Sequence, residues 1–314
     1  MLKNTPSPQL QALSPDRLRR YIATHEIPSR CRFLPADEVQ TIFRYGAIVG
    51  SVICSFPSLA RGMDEARRLI ATHEEEQRSF PSGLTIVAGS LTAGKGRFQR
   101  FWHAPIGGVW LTLVLVNTLL PENARLLPLA AGVACCETVR QFGIDAHVKW
   151  VNDVHVQGKK TAGILVETVF GQSSGEEYVL IGAGINVNNR DFPPELDAIA
   201  VSMAQLLGRD LDLEEVACDL LAKFTWQIGL LYCQEETALA ERQSLAAFAG
   251  AGLLDRWRQL SDSIGRRVQF GYDVQQQPQF TARVLGLDDD GGLRLLVEDG
   301  VEISEYAGEI IYLD

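Results

Sequence analysis

The fold class of this chain is decided by one stretch, HVKWVNDVHVQGKKTAGILVETVFGQSSGEEYVLIGAGINV (147–187). It contains three strand-like runs rich in apolar residues, at 147–156, 162–169 and 178–187, and the polar segments QGKK and GQSSGEE separate them. Apolar runs bounded by turn residues predict strands, so we expect three consecutive strands joined by short turns. Consecutive hairpin strands favour an α+β fold with a mixed sheet over a Rossmann crossover pattern.

The segments that precede this stretch supply two more strands and two helices. LTIVAG (84–89) and VWLTLVLV (109–116) are strongly apolar and predict buried strands. A helix is predicted from Met63, because acids near its start are followed by good helix formers. A second helix is predicted from Pro121 to about Phe142, because proline is favoured in the first helical turn. We therefore predict a mixed sheet packed by helices.

The rest of the chain divides into an N-terminal extension, the end of a large domain and a small β domain. Residues 214–260 have an apolar stripe at helical spacing. From Arg266, short strand patterns alternate with the turns DDDGG and EDG, which predicts a small β-barrel. The first 45 residues are polar, with a short helix around 16–24 and too little pattern for a DNA-binding domain. The predicted domains are 1–45, 46–262 and 263–314.

Composition narrows the class of function. The chain has 314 residues, of which 46% are hydrophobic and 22% charged, as in a folded protein. A formal net charge of −10 argues against nucleic acid as the main partner, because phosphate binding needs a basic face. No apolar run reaches the roughly 20 residues of a membrane span, and no secretory signal is expected. Six cysteines without CxxC spacing predict free thiols and a cytoplasmic location.

A glycine-rich basic loop, TAGKGRFQRFW (92–102), lies between the first two predicted strands. Its glycines let backbone N–H groups approach an anion closely. Arg97 and Arg100 can grip phosphate or carboxylate oxygens through planar guanidinium groups, and Trp102 offers a flat surface to a purine. The loop is not a Walker A motif, because the order GxxxxGK[ST] is absent. The alternative interpretation is a solvated basic surface loop.

A second candidate site lies in KWVNDVHVQGKKTAGILVE (149–167). Side chains alternate across a strand, so a single strand here would place Lys149, Val151 and Asp153 on one face. Lys160 then lies at the entry to the next buried strand, followed by small residues that leave room for a ligand. A lysine in this position can stabilise charge that builds on a transferred phosphoryl or acyl oxygen. The alternative is a hairpin with exposed lysines at its turn.

Together these segments resemble the catalytic domain of the biotin protein ligase family, which is related to lipoate ligases. The family's glycine-arginine loop is similar to AGKGRFQRFW (93–102), and the apolar strand after a double glycine is similar to HAPIGGVWLTLVL (103–115). Its KWPND, KxAGILVE and GxGINVN blocks are similar to KWVND (149–153), KTAGILVE (160–167) and GAGINVNN (182–189). The resemblance covers about 62–313 and implies a biotin/lipoate ligase-like α+β domain with a small C-terminal SH3-like β-barrel.

The resemblance implies an ATP-dependent enzyme that forms biotinyl-5′-AMP and transfers biotin to a lysine of a biotin carboxyl carrier protein. Lys160 and Arg97 would be catalytic, with Lys160 at the reacting centre. Biotin and the adenylate would be bound by Gly94, Lys95, Gly96, Arg97, Arg100, Trp102, Lys160, Gly163 and Asn186. Mg²⁺ would neutralise the leaving pyrophosphate, with Asn152 or Asp153 beside it. No nucleic acid or membrane partner is implied, and a homodimer is compatible with the family.

Two blocks depart from the family pattern. Arg61 and Gly62, in ARGMDEA, stand where the family has Ser-Thr in a block such as STNDEA, and Leu91 stands where a glutamine is usual. The family's groups meet the ureido ring of biotin, and each missing hydrogen bond would cost about 1–3 kcal/mol. The candidates to compensate are Ser58, Ser90 and Thr92. Two alternatives stay open: a ligase of the same fold for lipoate or another carboxylic acid, and a non-catalytic regulatory relative.

Overall fold

The computed structural model describes residue 10, residues 13–240 and residues 252–313. The strands of the large sheet are β1 (Ile53–Phe56), β2 (Leu84–Ala88), β3 (Val109–Val116), β4 (His147–Lys149), β5 (Asp153–Val156), β6 (Lys159–Phe170) and β7 (Glu177–Ile185). The α-helices are α1 (Pro15–Tyr21), α2 (Ile27–Arg30), α3 (Ala36–Tyr45), α4 (Gly62–Glu75), α5 (Pro121–Ala124), α6 (Leu127–Gln141), α7 (Pro194–Asp197), α8 (Met203–Leu207), α9 (Leu213–Leu239) and α10 (Leu253–Leu260).

The large sheet is mixed, with strand order β1-β2-β3-β7-β6-β5-β4. β1 pairs with β2 in parallel, and every other neighbouring pair is antiparallel. The hairpin strands predicted from the sequence lie side by side as β5, β6 and β7. The predicted α+β class with a mixed sheet is confirmed.

Helices pack on both faces of this sheet. α4 covers part of one face, where Met63 and Ile70 join strand residues such as Leu84 and Val114 in a buried apolar cluster. α6 and α9 belong to the main core on the opposite face, which is more extensive. Side chains alternate along a strand, so even-numbered residues of β2, β3 and β7 face the α4 side. Apolar side chains fill the part of this α4-side face that lies nearest α4.

The predicted single strand over 147–156 is wrong. The chain reverses at Trp150–Asn152, where the Trp150–Val151 peptide bond is cis, and forms the hairpin β4–β5. Lys149 and Asp153 share a face because they are cross-strand partners, and not because of alternation along one strand. Trp150 is buried against Phe270, with ring centroids 6.4 Å apart, so tertiary packing holds the reversal. The sequence signal for this reversal was local, because Asn and Asp residues such as Asn152 and Asp153 favour turns.

The predicted helix from Pro121 to Phe142 is two helices. α5 ends at Ala124, and α6 begins at Leu127 with Pro128 in its first turn. A proline lacks the N–H that a continuing helix needs, and its ring clashes with the carbonyl four residues earlier, here that of Ala124. Pro128 therefore starts a new helix and ends the previous one.

The N-terminal extension packs against α9. The short helix predicted around 16–24 begins at Pro15 as α1 and continues through a π-helical turn, Ile22–Glu26, into α2. A Cβ at Gly46 would fall 1.8 Å from Thr225 O, so glycine is required where the end of α3 meets α9. Residues 1–9, 11 and 12 lie outside the described residues. The domain boundary at residue 45 stays a prediction.

Buried ion pairs join this extension to the helices of the large domain. Lys223 Nζ lies 2.5 Å from Glu26 Oε2, and Arg30 Nη2 lies 2.6 Å from Glu137 Oε2. Burial opposes the charge of Glu137, but Arg30 outweighs it and lowers the pKa of Glu137 to about 2. Paired charges of this kind avoid the penalty of an isolated buried ion.

The C-terminal region forms the predicted small β domain. Its strands are β8 (Arg267–Gly271), β9 (Phe280–Leu287), β10 (Leu293–Val297), β11 (Glu302–Glu305) and β12 (Glu309–Tyr312), in one antiparallel sheet of order β11-β10-β9-β8-β12. Of the predicted helical region 214–260, the part from 241 to 251 lies outside the described residues. Among the helices that are described, none combines the length and apolar character of a membrane span.

Candidate active site

A cavity of about 690 Å³ opens on the α4 side of the sheet. Its floor consists of two rows of cross-strand neighbours, Ile86–Thr112–Gly182–Leu165 and Ala88–Trp110–Gly184–Gly163. The residues that the resemblance assigned to catalysis, to biotin and adenylate binding or to Mg²⁺ all line this cavity: Gly94, Lys95, Gly96, Arg97, Arg100, Trp102, Asn152, Asp153, Lys160, Gly163 and Asn186. Fold and topology therefore bring three separate segments of the chain together.

The indole of Trp102 lies over two facing glycines of the floor. A Cβ at Gly163 would fall 3.0 Å from Trp102 Cζ3, and one at Gly184 would fall 2.8 Å from Trp102 Nε1. Neither position has room for a side chain, which explains glycine at both. Trp110 meets the indole at an interplanar angle of 83°, and Lys160 Nζ lies 5.3 Å from its ring centroid. The indole is fixed from three sides.

The glycine-arginine loop is held in shape by its own backbone. The N–H of Trp102 donates to Gly94 O at 2.9 Å, and the N–H of Gly96 donates to Arg100 O at 2.9 Å. These bonds fold the segment into a compact hairpin-like loop, with Gly94 buried and Lys95 exposed. A Cβ at Gly94 would fall 2.5 Å from Trp102 O, so this close approach requires glycine.

Both arginines of the loop contact the C-terminal domain. Arg97 Nη1 donates to Gly308 O at 2.8 Å and to Asn152 Oδ1 at 3.4 Å. Arg100 donates to both carboxylate oxygens of Glu309 at 2.9 Å. Burial lowers the pKa of Arg97. Burial also opposes the charge of Arg100, but its bonds to Glu309 outweigh burial and raise its pKa. The loop is therefore positioned by a domain that follows it far along the chain.

A third contact of this kind strengthens the link between loop and domain. Asp273, in the C-terminal domain, also forms an ion pair with Arg100. Two carboxylates thus surround one guanidinium. The interpretation of TAGKGRFQRFW as a freely solvated surface loop is wrong, because the C-terminal domain holds it.

Lys160 carries its ammonium group into the cavity beside a carboxylate. Lys160 Nζ lies 2.5 Å from Asp153 Oδ1, and the two side chains are 36% and 29% exposed. The backbone of Lys160 is fixed by the bond from its N–H to Ile199 O at 2.8 Å, and Val201 donates to its carbonyl at 3.0 Å. Lys159 instead is exposed and donates to Asp197 O at 2.9 Å. The two lysines of the hairpin therefore differ. Lys159 is an exposed surface residue, and Lys160 lines the cavity.

Lys149 adds a second lysine to the same end of the cavity. Its ammonium lies 5.0 Å from the ring centroid of Tyr312, which comes from the C-terminal domain. Burial lowers the pKa of Lys149. With Lys160 and the two loop arginines, this end of the cavity collects four cationic side chains, as the binding of a polyphosphate needs.

Two asparagine side chains, those of Asn152 and Asn186, also line the cavity. Asn152 Nδ2 donates to Ile164 O at 2.7 Å, which leaves its amide oxygen toward Arg97. Asn186 is buried and accepts a bond from Asn189 Nδ2 at 3.1 Å. Across the described residues no group of three or more His, Cys, Asp or Glu side chains is placed to hold a metal ion. Mg²⁺ in nucleotide sites commonly takes one or two carboxylates plus phosphate oxygens, and the oxygens of Asn152 and Asp153 suit that donor set.

The opposite end of the cavity contains the residues that depart from the family pattern. Arg61, Gly62 and Leu91 all line it, together with Thr112. The expected compensation from Ser58, Ser90 and Thr92 is wrong, because none of these lines the cavity and Ser90 Oγ donates to Ser58 Oγ at 3.0 Å.

Several lining residues were missed by sequence reasoning. Trp110 and Thr112 lie two residues apart on β3, so their side chains point to the same face of the sheet. A threonine within an otherwise apolar strand was a sequence signal that could have identified this face as the floor of a site. Gln275, Glu309 and Tyr312 come from the C-terminal domain, where no local pattern pointed to the site. Their role depends on how the two domains meet.

Comparison with known proteins identifies the family. The sequence model of the "Biotin/lipoate A/B protein ligase family" matches residues 64–186, and that of the "Biotin protein ligase C terminal domain" matches residues 263–312. The "Biotin--[acetyl-CoA-carboxylase] ligase" of Mycobacterium tuberculosis is 30% identical over 237 residues, which are 74% of this chain and 79% of that protein. The chain belongs to the biotin protein ligase family.

Other relatives agree with this assignment. The "Bifunctional ligase/repressor BirA" of Bacillus subtilis is 33% identical over 234 residues, which are 73% of this chain. The matched part spans 66% of that relative, just under two thirds of its length. A solved structure, biotin protein ligase from Aquifex aeolicus in complex with biotin and ATP, matches with a TM-score of 0.61 and 24% identity, covering 83% of this chain and 98% of that one. The two proteins share the fold.

Proposed function

We propose that this chain is a biotin ligase that forms biotinyl-5′-AMP from biotin and ATP and transfers the biotin to a lysine of a biotin carboxyl carrier protein. The observation that carries the proposal is the meeting of Lys160, Arg97 and Trp102 in one cavity. The family assignment supports it, as does the related fold solved with biotin and ATP.

In the first step, a carboxylate oxygen of biotin attacks the α-phosphorus of ATP. The bond from that phosphorus to the bridging oxygen breaks, and pyrophosphate leaves with the electron pair. Negative charge increases on the reacting oxygens, where the ammonium of Lys160 and the guanidinium of Arg97 stabilise it. Asp153 holds Lys160 Nζ at 2.5 Å and so fixes its position before the substrates bind. Trp102, fixed over the floor, packs against the adenine.

In the second step, the neutral ε-amine of the carrier lysine attacks the acyl carbon. The bond from that carbon to the phosphate oxygen breaks, AMP leaves, and the new amide nitrogen loses a proton to solvent. Until the carrier arrives, the glycine loop excludes water from the mixed anhydride. Gly94, Lys95 and Gly96 form its cover, and Arg97 and Arg100 tie it to the C-terminal domain.

Mg²⁺ bound with the nucleotide would be held by Asp153 and Asn152. When bound, the ion neutralises charge on the leaving pyrophosphate. Gly163 keeps the floor low beneath Trp102, and Asn186 frames the nucleotide side.

The domain division supports the same function. We assign chemistry to residues 46–262 and positioning of the loop to residues 263–314, with residues 1–45 as a helical extension. Six free cysteines support action in the cytoplasm, where thiols stay reduced. Analytical ultracentrifugation tests for a homodimer, which would appear as a doubled mass.

A second candidate function is activation of a different acid, such as lipoate. Arg61 and Leu91 at the head-group end of the cavity are the observations that favour it. Exchange of pyrophosphate into ATP, measured with biotin, lipoate, octanoate or no acid, separates the two. We expect exchange that depends on biotin. Exchange with lipoate or octanoate, and none with millimolar biotin, would overturn the biotin assignment and leave the fold unaffected.

A further inference from the structure

Arg61 lies at the end of the cavity that is far from Lys160, and one of its hydrogen-bond donors has no acceptor. Its Nε is buried and unpartnered in the described part of the chain, although the side chain as a whole is 17% exposed. A buried N–H group without an acceptor is unfavourable by about 1–3 kcal/mol, so such groups commonly mark a place that a ligand completes. Because Arg61 lines the cavity, the missing acceptor can come from the acid that binds there.

Thr112 supplies a hydroxyl at the same end. A Cβ on Gly62 would fall 2.4 Å from Thr112 Oγ1, so the two positions compete for one volume. A serine or threonine at residue 62 would clash with Thr112 as it stands. The hydroxyl at this end of the cavity therefore lies on the neighbouring strand, β3, and the start of the helix carries glycine.

Charge balance decides what kind of acceptor fits. Arg61 Nη1 already lies 3.3 Å from Asp64 Oδ1, so part of the guanidinium charge is balanced before a ligand arrives. Met63 and Leu91, which line the same cavity, are apolar. A second carboxylate buried here would face apolar side chains and a cation that is already paired, which is costly. A neutral carbonyl oxygen accepts the free N–H without that cost.

We propose that Arg61 and Thr112 select acids that carry a neutral carbonyl of the cyclic-urea kind at the end remote from the carboxylate. The proposal rests on the proposed function and names the residues that give it specificity. Arg61 Nε–H donates to the urea oxygen, and Thr112 Oγ1 accepts from a urea N–H. A dithiolane ring or a methyl terminus offers no acceptor and leaves the buried donor unpaired. Arg61 is therefore a specificity-determining residue that replaces the usual Ser-Thr pair.

Calorimetric titration without ATP tests this directly, with desthiobiotin, biotin and octanoate as probes. Desthiobiotin keeps the cyclic urea and lacks the ring sulfur. Arg61→Met should weaken the binding of both urea acids by about 10–100-fold, as expected for loss of a hydrogen bond to a charged donor. Thr112→Val should weaken both by about 3–10-fold. Octanoate binding and ATP binding should change in neither variant.

Two further variants separate recognition from folding. Arg61→Lys keeps a positive charge near Asp64 and lacks Nε–H, so it should show the same loss for the urea acids. Arg67→Met is the matched control, because Arg67 pairs with the same Asp64 and does not line the cavity. It should bind every probe as the parent does.

The outcomes distinguish this inference from the proposed function. If the parent binds both urea acids and Arg61→Met binds them equally well, the inference is overturned and the proposed function stands. If Arg61→Met loses ATP binding in the same proportion, Arg61 has a structural role and the inference is again overturned. If the parent binds neither urea acid and exchanges pyrophosphate with octanoate, the proposed function itself is wrong.

Discussion

Arg100 in the glycine-arginine loop and Glu309 at the start of β12 form a bidentate ion pair, with both N–O distances 2.9 Å, across 209 positions of sequence. The side chains are 32% and 16% exposed, so solvent screens the pair only partly. A planar guanidinium that meets both oxygens of a carboxylate fixes orientation as well as distance. The C-terminal domain thereby determines where the loop lies over the cavity.

Glu309→Gln should loosen the loop without a large change in the fold. One hydrogen bond of the pair becomes weaker and the charge attraction is lost, which corresponds to about 1–2 kcal/mol for a partly buried pair. We expect kcat/KM for adenylate formation to fall by about tenfold. Glu302→Gln is the matched control, because it removes the same charge from the same domain at the exposed pair with Arg294. Equal rates in the parent and Glu309→Gln would contradict a positioning role for the pair.

Arg97→Ala should weaken adenylate formation and also allow the adenylate to escape. Arg97 is predicted to pair with the phosphate of the anhydride and is tied to Gly308 O at 2.8 Å. Loss of one charge-assisted bond of roughly 1.5–3 kcal/mol should weaken adenylate binding by one to two orders of magnitude. The dissociation rate of biotinyl-adenylate measures this, and Arg97→Lys should show an intermediate effect because it keeps charge without the planar fork. Unchanged retention in Arg97→Ala would show that the loop does not clamp the phosphate.

Lys160→Ala should mainly slow formation of the adenylate. Its charge is needed most while the carboxylate attacks phosphorus, so the loss appears in the single-turnover rate more than in binding. We expect the rate to fall by about 100-fold or more, the scale of one lost electrostatic contact at a reacting centre. Lys159→Ala provides the neighbouring control, because Lys159 is exposed and does not line the cavity. A comparable loss in both variants would rule out a specific role for Lys160.

Asp219→Asn should stabilise the protein at neutral pH. Asp219 is 1% exposed, and burial raises its pKa from an ordinary 3.8 to about 6, although Lys223 opposes the rise. Between these two values the unfolded chain releases the proton first, so the folded state loses stability as pH rises through this window. The shift corresponds to about 2–3 kcal/mol of destabilisation above pH 6. Asp219→Asn removes this destabilisation, because asparagine carries no charge.

The free energy of unfolding, measured by denaturant at several pH values, tests the last prediction. The gain of Asp219→Asn over the parent should be full near pH 7 and should vanish below about pH 4, where Asp219 is protonated in both states. Asp145→Asn, at a side chain that is 75% exposed, should show little pH-dependent difference. A gain that does not change with pH would show that burial of the charge is not its cause.

The sequence by itself determined the fold class and most of the candidate site. Alternation and turn residues are local properties, and they were enough to predict the strands that became β6 and β7. The loop 92–102 and Lys160 could be singled out because their residue types have chemistry that does not depend on the fold. The structure then placed all of these residues around one cavity.

Only the tertiary structure decided how separate segments complete one another. It turned the chain at Trp150, whose burial against Phe270 holds the reversal, and it paired Arg100 with Glu309. It also set Thr112 Oγ1 against Gly62, where a Cβ would fall only 2.4 Å from it. A local pattern reports which residues are buried and with what period. It carries no information about which distant residue will lie opposite, because that depends on the register of the strands and on the docking of two domains.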